Sequence, residues 1–324
     1  MPLRLPRRSL LAGMAGSALL GSGAVSAKIR SAKPAPALIS VLPVWNDAPP
    51  GGVPGGLVEQ EIPRSPTGPA DDTAFLHVTR PTLLHCRPAK PNGAAVLLVP
   101  GGGYARVAIG RGGAELLRAF AAQGYHAYLL KYRLPGDPWQ AGPDAPLQDA
   151  QRALRVIRSM ARAEGYDASR IALWGGSAGG HLAARLANSA SAAYAATDAI
   201  DGLALGVKAA ILLYPVNHMT GPHAHAQSRQ QLLGSRSDEE AAAYAAQAGV
   251  STISPPTFLG HALDDQVVPV ENSLSYFAAL RAGGVPAELH VQESGGHGFG
   301  WNRANGVAWD WPVLALSFLR THGA

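Results

Sequence analysis

The sequence is poor in cysteine, in charged residues and in aromatic residues. Cys86 is the only cysteine, so the chain cannot form an internal disulfide. We expect this lone cysteine to pack as a small buried hydrophobic residue. Charged residues make up 15% of the chain and aromatic residues 6%. No stripe of alternating basic and aromatic residues is present, which excludes the usual nucleic-acid footprint.

Metal-ligand patterns are also scarce. The three histidines at 218, 223 and 225 have no cysteine or nearby carboxylate to complete a tetrahedral set. We therefore expect neither a metal ion nor another cofactor. The formal net charge of +5 does not indicate an acidic partner, because Arg4, Arg7 and Arg8 lie in the first ten residues with no acid to offset them.

The chain has little that could span a membrane. Its longest apolar run, residues 10–25, is rich in glycine and shorter than the ~20 residues that a transmembrane helix requires. A basic stretch precedes this run and Val-Ser-Ala at 25–27 ends it, which predicts a signal peptide over residues 1–27. Arg7-Arg8 resembles a twin-arginine signal, so we expect export to the periplasm or beyond, cleavage after Ala27 and no stable membrane insertion afterwards.

Short β-branched or Leu-rich runs alternate with longer helical periods over most of the chain. This alternation predicts an α/β domain over residues 76–324, with a mostly parallel sheet and helices on both faces. Residues 28–75 are rich in Pro and Gly and predict an irregular N-terminal arm. The predicted strands are 82–86, 94–99, 126–131, 171–174, 208–214, 257–262 and 287–291, and the predicted helices are 113–123, 146–165, 178–190, 270–282 and 309–322. Residues 215–247 interrupt the pattern and predict an insertion near the mouth of a site.

A nucleophilic serine is indicated at position 177. Residues 175–179 read Gly-Gly-Ser-Ala-Gly, a G-x-S-x-G match that is weak alone in a chain with 38 glycines. Its context is stronger, because the match lies between a predicted strand and a predicted helix. There a strained turn lifts the serine hydroxyl above the sheet. A phosphate-binding loop would be expected to carry a lysine and acidic partners, which are missing here.

A candidate acid and then a candidate base follow the serine, which is the order expected when the nucleophile lies on a strand-turn-helix motif. His297 lies in a glycine-rich loop after the last predicted strand, and Asp265 follows the strand before it. The imidazole would take the serine proton and the carboxylate would orient the imidazole. Asp264 is the other candidate for this acid, and its alternative role is to stabilise the turn or to cap the helix that follows. We favour Asp265 as the acid.

A second glycine-rich segment, residues 100–104 (Pro-Gly-Gly-Gly-Tyr), follows the predicted strand 94–99. It predicts an oxyanion hole in which the amides of Gly102 and Gly103 join that of Ala178, unless the segment is only a flexible turn. Tyr104 either faces the acyl pocket or packs in the core.

Taken together, residues 44–49, 100–104, 149–153, 175–181, 255–273 and 295–300 resemble the acetyl xylan esterase and feruloyl esterase-like (BD-FAE-like) group of α/β-hydrolases. The resemblance covers most of the chain after residue 27 and implies the α/β-hydrolase fold. It also implies hydrolysis of small acyl esters, often on plant-cell-wall sugars. Pro100 stands where many esterases have histidine, and residues 218–225 lie outside the family pattern.

We therefore expect a serine esterase that acts on a small ester or an acylated carbohydrate. A serine peptidase of the prolyl-oligopeptidase kind is an alternative, because it shares the order of the three residues. A lipase and a lactonase are further alternatives. A non-catalytic carbohydrate-binding homologue is the alternative outside enzymes, and the three intact residues argue against it. The sequence does not specify an oligomeric state.

Overall fold

The computed structural model describes residues 39–301 and 309–324, and these form one compact unit around an eight-stranded sheet. The strands are β1 (Ile39–Pro43), β2 (Gln60–Pro63), β3 (Thr73–Leu76), β4 (Thr82–Cys86), β5 (Ala95–Val99), β6 (His126–Lys131), β7 (Ile171–Gly176), β8 (Ala209–Leu213), β9 (Thr257–Ala262) and β10 (Ala287–Gln292). The helices are α1 (Arg111–Ala122), α2 (Ala145–Glu164), α3 (Ala178–Ala187), α4 (Ala226–Leu233), α5 (Asp238–Ala242), α6 (Glu271–Ala282) and α7 (Trp311–Thr321).

The main sheet is mostly parallel, as predicted. Its strand order is β1-β4-β6-β5-β7-β8-β9-β10, in which β4 pairs antiparallel with both β1 and β6 and the remaining pairs are parallel. Every residue of β5, β7, β8 and β9 is buried. Continuous burial of this kind arises where helices cover both faces of a parallel sheet. The carboxyl ends of these central strands carry the loops of the site described below.

The predicted elements correspond closely to those observed. Strands 82–86, 126–131 and 257–262 have the predicted bounds, and the other strands differ by one or two residues at an end. The helix predicted at 178–190 ends at Ala187 and the helix predicted at 113–123 begins at Arg111. The insertion at 215–247 contains the short helices α4 and α5.

The prediction of an irregular arm over residues 28–75 was wrong for the part that the structure describes. Strand β1 pairs with β4 at the edge of the main sheet, and β2 and β3 form a two-stranded antiparallel sheet. The boundary at residue 75 falls inside β3. The Pro- and Gly-rich stretches do form turns, but they connect strands of four or five residues. Strands this short are stabilised by their partners rather than by their own sequence.

Two of the segments that carry the family resemblance meet in a buried polar network. The indole Nε1 of Trp45 donates to Asp149 Oδ1 at 2.8 Å. Arg133 donates its backbone N–H and its Nε to the same carboxylate, at 2.8 Å to Oδ2 and 3.0 Å to Oδ1. Both side chains of this ion pair are fully buried. Arg152 Nε also donates to the Val44 carbonyl at 3.2 Å, so the network ties the segment after β1 to helix α2.

Among the described helices, none combines the length and the apolar character needed to cross a bilayer. The predicted signal peptide, residues 1–27, lies outside the described residues. Cys86 is buried at the end of β4, as expected of a small hydrophobe.

Candidate active site

Ser177 lies at a sharp turn between β7 and α3. Its backbone has φ +57° and ψ −129°, a conformation that costs a non-glycine residue on the order of 1–3 kcal/mol. The turn is held by its own backbone groups. The Ser177 N–H donates to the Leu213 carbonyl at 3.1 Å, and its carbonyl accepts from Gly180 N at 2.9 Å and Val216 N at 3.0 Å. The serine therefore projects from the end of the sheet on a rigid support, as the motif predicts.

Glycines let the neighbouring chains approach this turn closely. A Cβ atom placed on Gly179 would lie 2.2 Å from the Val99 carbonyl oxygen, and one on Gly175 would lie 2.5 Å from Ala183 Cβ. Side chains at these positions would push α3 away from the ends of β5 and β7. The small residues around Ser177 are therefore needed for close packing as well as for the turn itself.

We expect Gly179→Ala to destabilise the protein by about 3 kcal/mol or more, because the added methyl meets backbone atoms that cannot move independently. Activity should fall with stability, since the Val99 carbonyl directly precedes residues 100–104. Gly206→Ala is the matched control, because a Cβ there meets no atom within 4 Å. Thermal unfolding and ester hydrolysis measured on both variants test this, and wild-type values for Gly179→Ala would contradict it.

The structure brings Ser177, His297 and Asp265 together. Ser177 Oγ lies 2.9 Å from His297 Nε2, and His297 Nδ1 lies 2.7 Å from Asp265 Oδ2. Asp265 Oδ1 also accepts the N–H groups of Val267 at 2.8 Å and Val268 at 2.9 Å. Burial alone would raise the pKa of Asp265, but hydrogen bonds from His261 and His297 and from the Val268 amide hold that pKa well below its usual range. The carboxylate is therefore charged and fixed in orientation.

Asp264 lies close by but serves a different loop. Its carboxylate is exposed, and its Oδ1 accepts the N–H of Gly296 at 2.7 Å, next to His297. The sequence suggested that Asp264 would hold the turn into the following helix. In the structure Asp265 itself accepts the amides of that turn, and Asp264 instead holds the loop that carries the histidine.

The glycine-rich segment after β5 lies beside the serine. Gly101 contacts Ser177, because a Cβ on that glycine would lie 2.9 Å from Ser177 Cβ. Gly102 and Gly103 line the same cavity as Ser177 and have positive φ angles of +135° and +65°. Ala178 is the first residue of α3, and the first amides of a helix have no partner within it. Of the three residues predicted to supply the oxyanion hole, Gly102 and Gly103 thus line the cavity that Ser177 also lines, and Ala178 directly follows the serine.

Tyr104 does not face the acyl pocket. Its side chain is fully buried, it is not among the residues lining the cavity, and its hydroxyl lies 2.8 Å from His181 Nδ1. His181 Nε2 lies 2.7 Å from the Tyr244 carbonyl, so that nitrogen carries the proton and Tyr104 donates to the other. Burial lowers the pKa of His181 to about 3, which keeps the ring neutral. The φ of +60° at Tyr104 turns its side chain into the core, and a sequence pattern does not reveal that angle.

Ser177 and His297 line a cavity of about 530 Å³. One part of its wall is apolar and contains Leu116, Leu129, Trp174 and Trp311, all of them buried. Another part is polar, and its side chains were not anticipated as site residues: Arg64, Arg106, His225 and Gln227. Arg64 lies in the segment predicted to be an irregular arm, while His225 and Gln227 belong to the insertion expected near the mouth.

One cluster in the described part of the chain could hold a metal ion. His85, His126 and Glu164 offer ligand atoms within 4.8 Å of one another, and none of the three lines the cavity. Arg87 already forms two hydrogen bonds with the Glu164 carboxylate, at 2.6 and 2.5 Å. The guanidinium thus supplies the positive charge that this carboxylate needs, and the cluster is explained as an ion pair.

Comparison with known proteins places the chain in a family. The BD-FAE family model matches residues 86–280. The chain is 30% identical over 220 residues to an acetylxylan esterase of Xylanibacter ruminicola, an alignment that covers 66% of this chain and 42% of that protein. It is 34% identical over 212 residues to endo-1,4-beta-xylanase B of Butyrivibrio fibrisolvens, covering 63% and 32%. The chain thus spans less than half the length of either curated relative.

Solved structures of similar fold include a bifunctional hydrolase and an esterase. The acetyl ester-xyloside bifunctional hydrolase of Caldicellulosiruptor lactoaceticus superposes with a TM-score of 0.70 at 29% identity, covering 88% of this chain and 96% of that one. The esterase Est2 of Thermogutta terrifontis with bound propionate superposes with a TM-score of 0.63 at 25% identity, covering 78% and 95%. With the match over residues 86–280, the chain belongs to the BD-FAE family of α/β-hydrolases.

Proposed function

We propose that the protein is a serine esterase that hydrolyses short acyl esters, of the acetyl type, including those on plant-cell-wall carbohydrate. The observation that carries the proposal is the continuous hydrogen-bonded chain from Asp265 through His297 to Ser177, which ends in an open cavity. The acetylxylan esterase and the acetyl ester-xyloside hydrolase among its relatives support the choice of ester and sugar.

The proposed reaction uses the three hydrogen-bonded side chains in turn. His297 Nε2 accepts the Ser177 hydroxyl proton while the serine oxygen attacks the ester carbonyl carbon. The carbonyl oxygen becomes an oxyanion, which accepts hydrogen bonds from the amides of Gly102, Gly103 and Ala178. Each donor of this kind contributes about 3–4 kcal/mol to catalysis. The imidazolium then gives its proton to the leaving alcohol, and an acyl-enzyme remains.

Deacylation reverses the roles of the same groups. His297 removes a proton from water, the resulting hydroxide attacks the acyl carbon, and the proton passes to Ser177 Oγ as the acid is released. Asp265 stays charged throughout and stabilises the imidazolium in both halves of the reaction. Its hydrogen bond to Nδ1 leaves Nε2 free to accept the serine proton.

The acetylxylan esterase among the relatives supports a small acyl group. The Trp174, Trp311 and Leu129 side chains line the apolar part of the cavity, and each is at least nine-tenths buried. We expect kcat/KM to be highest for acetate or propionate and to fall as the acyl chain lengthens. A series of 4-nitrophenyl esters from acetate to octanoate, measured beside acetylated xylan, tests both the activity and the substrate class.

Two outcomes would contradict the proposal. The first is a lack of ester hydrolysis together with no labelling by a fluorophosphonate, which would indicate a non-catalytic homologue. The second is hydrolysis of proline-containing peptides at higher kcat/KM than any ester, which would indicate a peptidase.

We further propose that residues 1–27 direct export of the folded protein to the periplasm or beyond, and that the described residues, 39–301 and 309–324, belong to a single catalytic domain. Cleavage is expected after Ala27, so N-terminal sequencing of the exported protein should begin at Lys28. Replacing Arg7 and Arg8 with lysine should block export if the twin-arginine route is used. An exported protein that still begins at Met1 would contradict the cleavage.

A further inference from the structure

Arg64 and Arg106 line one wall of the catalytic cavity. Arg64 follows strand β2, and Arg106 follows the glycine-rich oxyanion segment. The two residues are in contact, because Arg106 Nη1 donates to the Arg64 carbonyl at 3.3 Å. Arg106 also packs against Gly102, where its Cγ lies 3.1 Å from the position of a Cβ on that glycine. Arg106 therefore lies beside the proposed oxyanion segment, and Arg64 lies beside Arg106.

The charge of this wall is not balanced within the cavity. None of the described residues that line it is a carboxylate. Asp72 contacts Arg64 at a single distance of 3.6 Å, and within the described ranges Arg106 forms no ion pair. Burial and the nearby His297 lower the pKa of His225, so that ring adds no charge at neutral pH. Two guanidinium groups thus give the cavity a positive potential.

The position of the arginines indicates which part of an ester they would meet. The apolar lining residues of the cavity are buried, and they suit an acyl group that must leave water. The Arg64 side chain is 45% exposed, which places it toward the open side of the cavity. A bound ester with its acyl group against the apolar wall would direct its alcohol portion to the open side.

Arg64 and Arg106 give this wall two positive charges, which a neutral alcohol would not offset. A carboxylate would, because each guanidinium offers a fork of N–H donors that matches its two oxygens. We infer that Arg64 and Arg106 bind a carboxylate on the alcohol portion of the substrate. The preferred substrate is then an acylated acidic saccharide. This inference rests on the proposed esterase activity.

A matched pair of esters tests the inference. Both 4-acetoxybenzoate and methyl 4-acetoxybenzoate release acetate, and only the first carries a carboxylate on its leaving group. The readout is the ratio of kcat/KM for the acid to kcat/KM for its methyl ester. Comparing this ratio between variants cancels the different intrinsic reactivity of the two compounds.

We expect the double variant Arg64→Gln, Arg106→Gln to lower this ratio about 10-fold, in line with the loss of two partly exposed charge pairs. Sodium chloride at 0.5 M should reduce the wild-type ratio as well, because salt screens exposed charges. Arg118→Gln is the matched control. Arg118 is an exposed arginine on α1 that does not line the cavity, and its removal should leave the ratio unchanged.

A measurement on the wild-type protein keeps the test independent of how the variants fold. At low salt, 4-hydroxybenzoate should inhibit hydrolysis of 4-nitrophenyl acetate more strongly than 4-hydroxybenzamide, and 0.5 M sodium chloride should remove the difference. Equal inhibition by the two compounds, or an unchanged ratio in a folded double variant, would overturn the inference while leaving the esterase intact. If the wild-type protein hydrolysed none of these esters, the proposed function would be refuted instead.

Discussion

Replacing Ser177 with alanine is expected to lower kcat on 4-nitrophenyl acetate by about 10⁴- to 10⁶-fold, because loss of one member disables the whole catalytic unit. Covalent labelling by a fluorophosphonate should disappear at the same time. The fold should remain, since alanine can adopt the positive φ of this position at a cost similar to that of serine. Circular dichroism and thermal unfolding would verify this.

Ser191→Ala provides the control for the labelling experiment. Ser191 is exposed and lies outside the cavity, so its replacement should leave both labelling and turnover at the wild-type level. Full labelling of the Ser177→Ala variant would show that another residue is the nucleophile.

The second large effect is expected at Asp265. Asparagine has nearly the same shape as aspartate, but it presents an NH₂ group where one carboxylate oxygen stood. One oxygen accepts the amides of Val267 and Val268, and the other contacts His297 Nδ1. If the amide oxygen keeps the backbone contacts, the NH₂ group faces Nδ1 and favours the tautomer with its proton on Nε2. That tautomer cannot accept the serine proton, so kcat should fall about 10⁴-fold.

Asp264→Asn is the matched control for this experiment. The Asp264 side chain accepts one hydrogen bond from Gly296 N, and an asparagine carbonyl can still accept it. Turnover should stay within severalfold of wild type, with a melting temperature within a few degrees. If Asp264→Asn proves inactive while Asp265→Asn remains active, the assignment of the acid is wrong.

The sequence predicted the central strands and the three catalytic candidates for the same physical reason. Strands β5, β7, β8 and β9 are buried on both faces, so each appears as a short continuous apolar run between turn residues. In a parallel sheet the carboxyl ends of such runs meet at one edge, which brings residues from distant segments together. The order of the segments along the chain thus predicted that Ser177, Asp265 and His297 would lie at one edge of the sheet. The distances of 2.9 Å from Ser177 Oγ to His297 Nε2 and 2.7 Å from His297 Nδ1 to Asp265 Oδ2 come from the structure.

Features that depend on distant partners or on single backbone angles could not be predicted. Strand β1 has five residues and is defined by its pairing with β4, about forty residues later. The direction of the Tyr104 side chain follows from its own φ angle. Arg64 was missed as a lining residue because its segment was interpreted as irregular. The local sequence carries no sign that this segment folds back over the oxyanion loop.

The N-terminal residues that line the cavity, Ile62 and Arg64, determine which fragments of the protein can contain a complete site. The matched family region, residues 86–280, contains Ser177 and Asp265 but ends before His297 and begins after Ile62 and Arg64. A fragment trimmed to that region would keep the proposed nucleophile and acid and lose the proposed base together with one side of the cleft. Truncation or domain-swapping experiments should therefore retain residues 39–324.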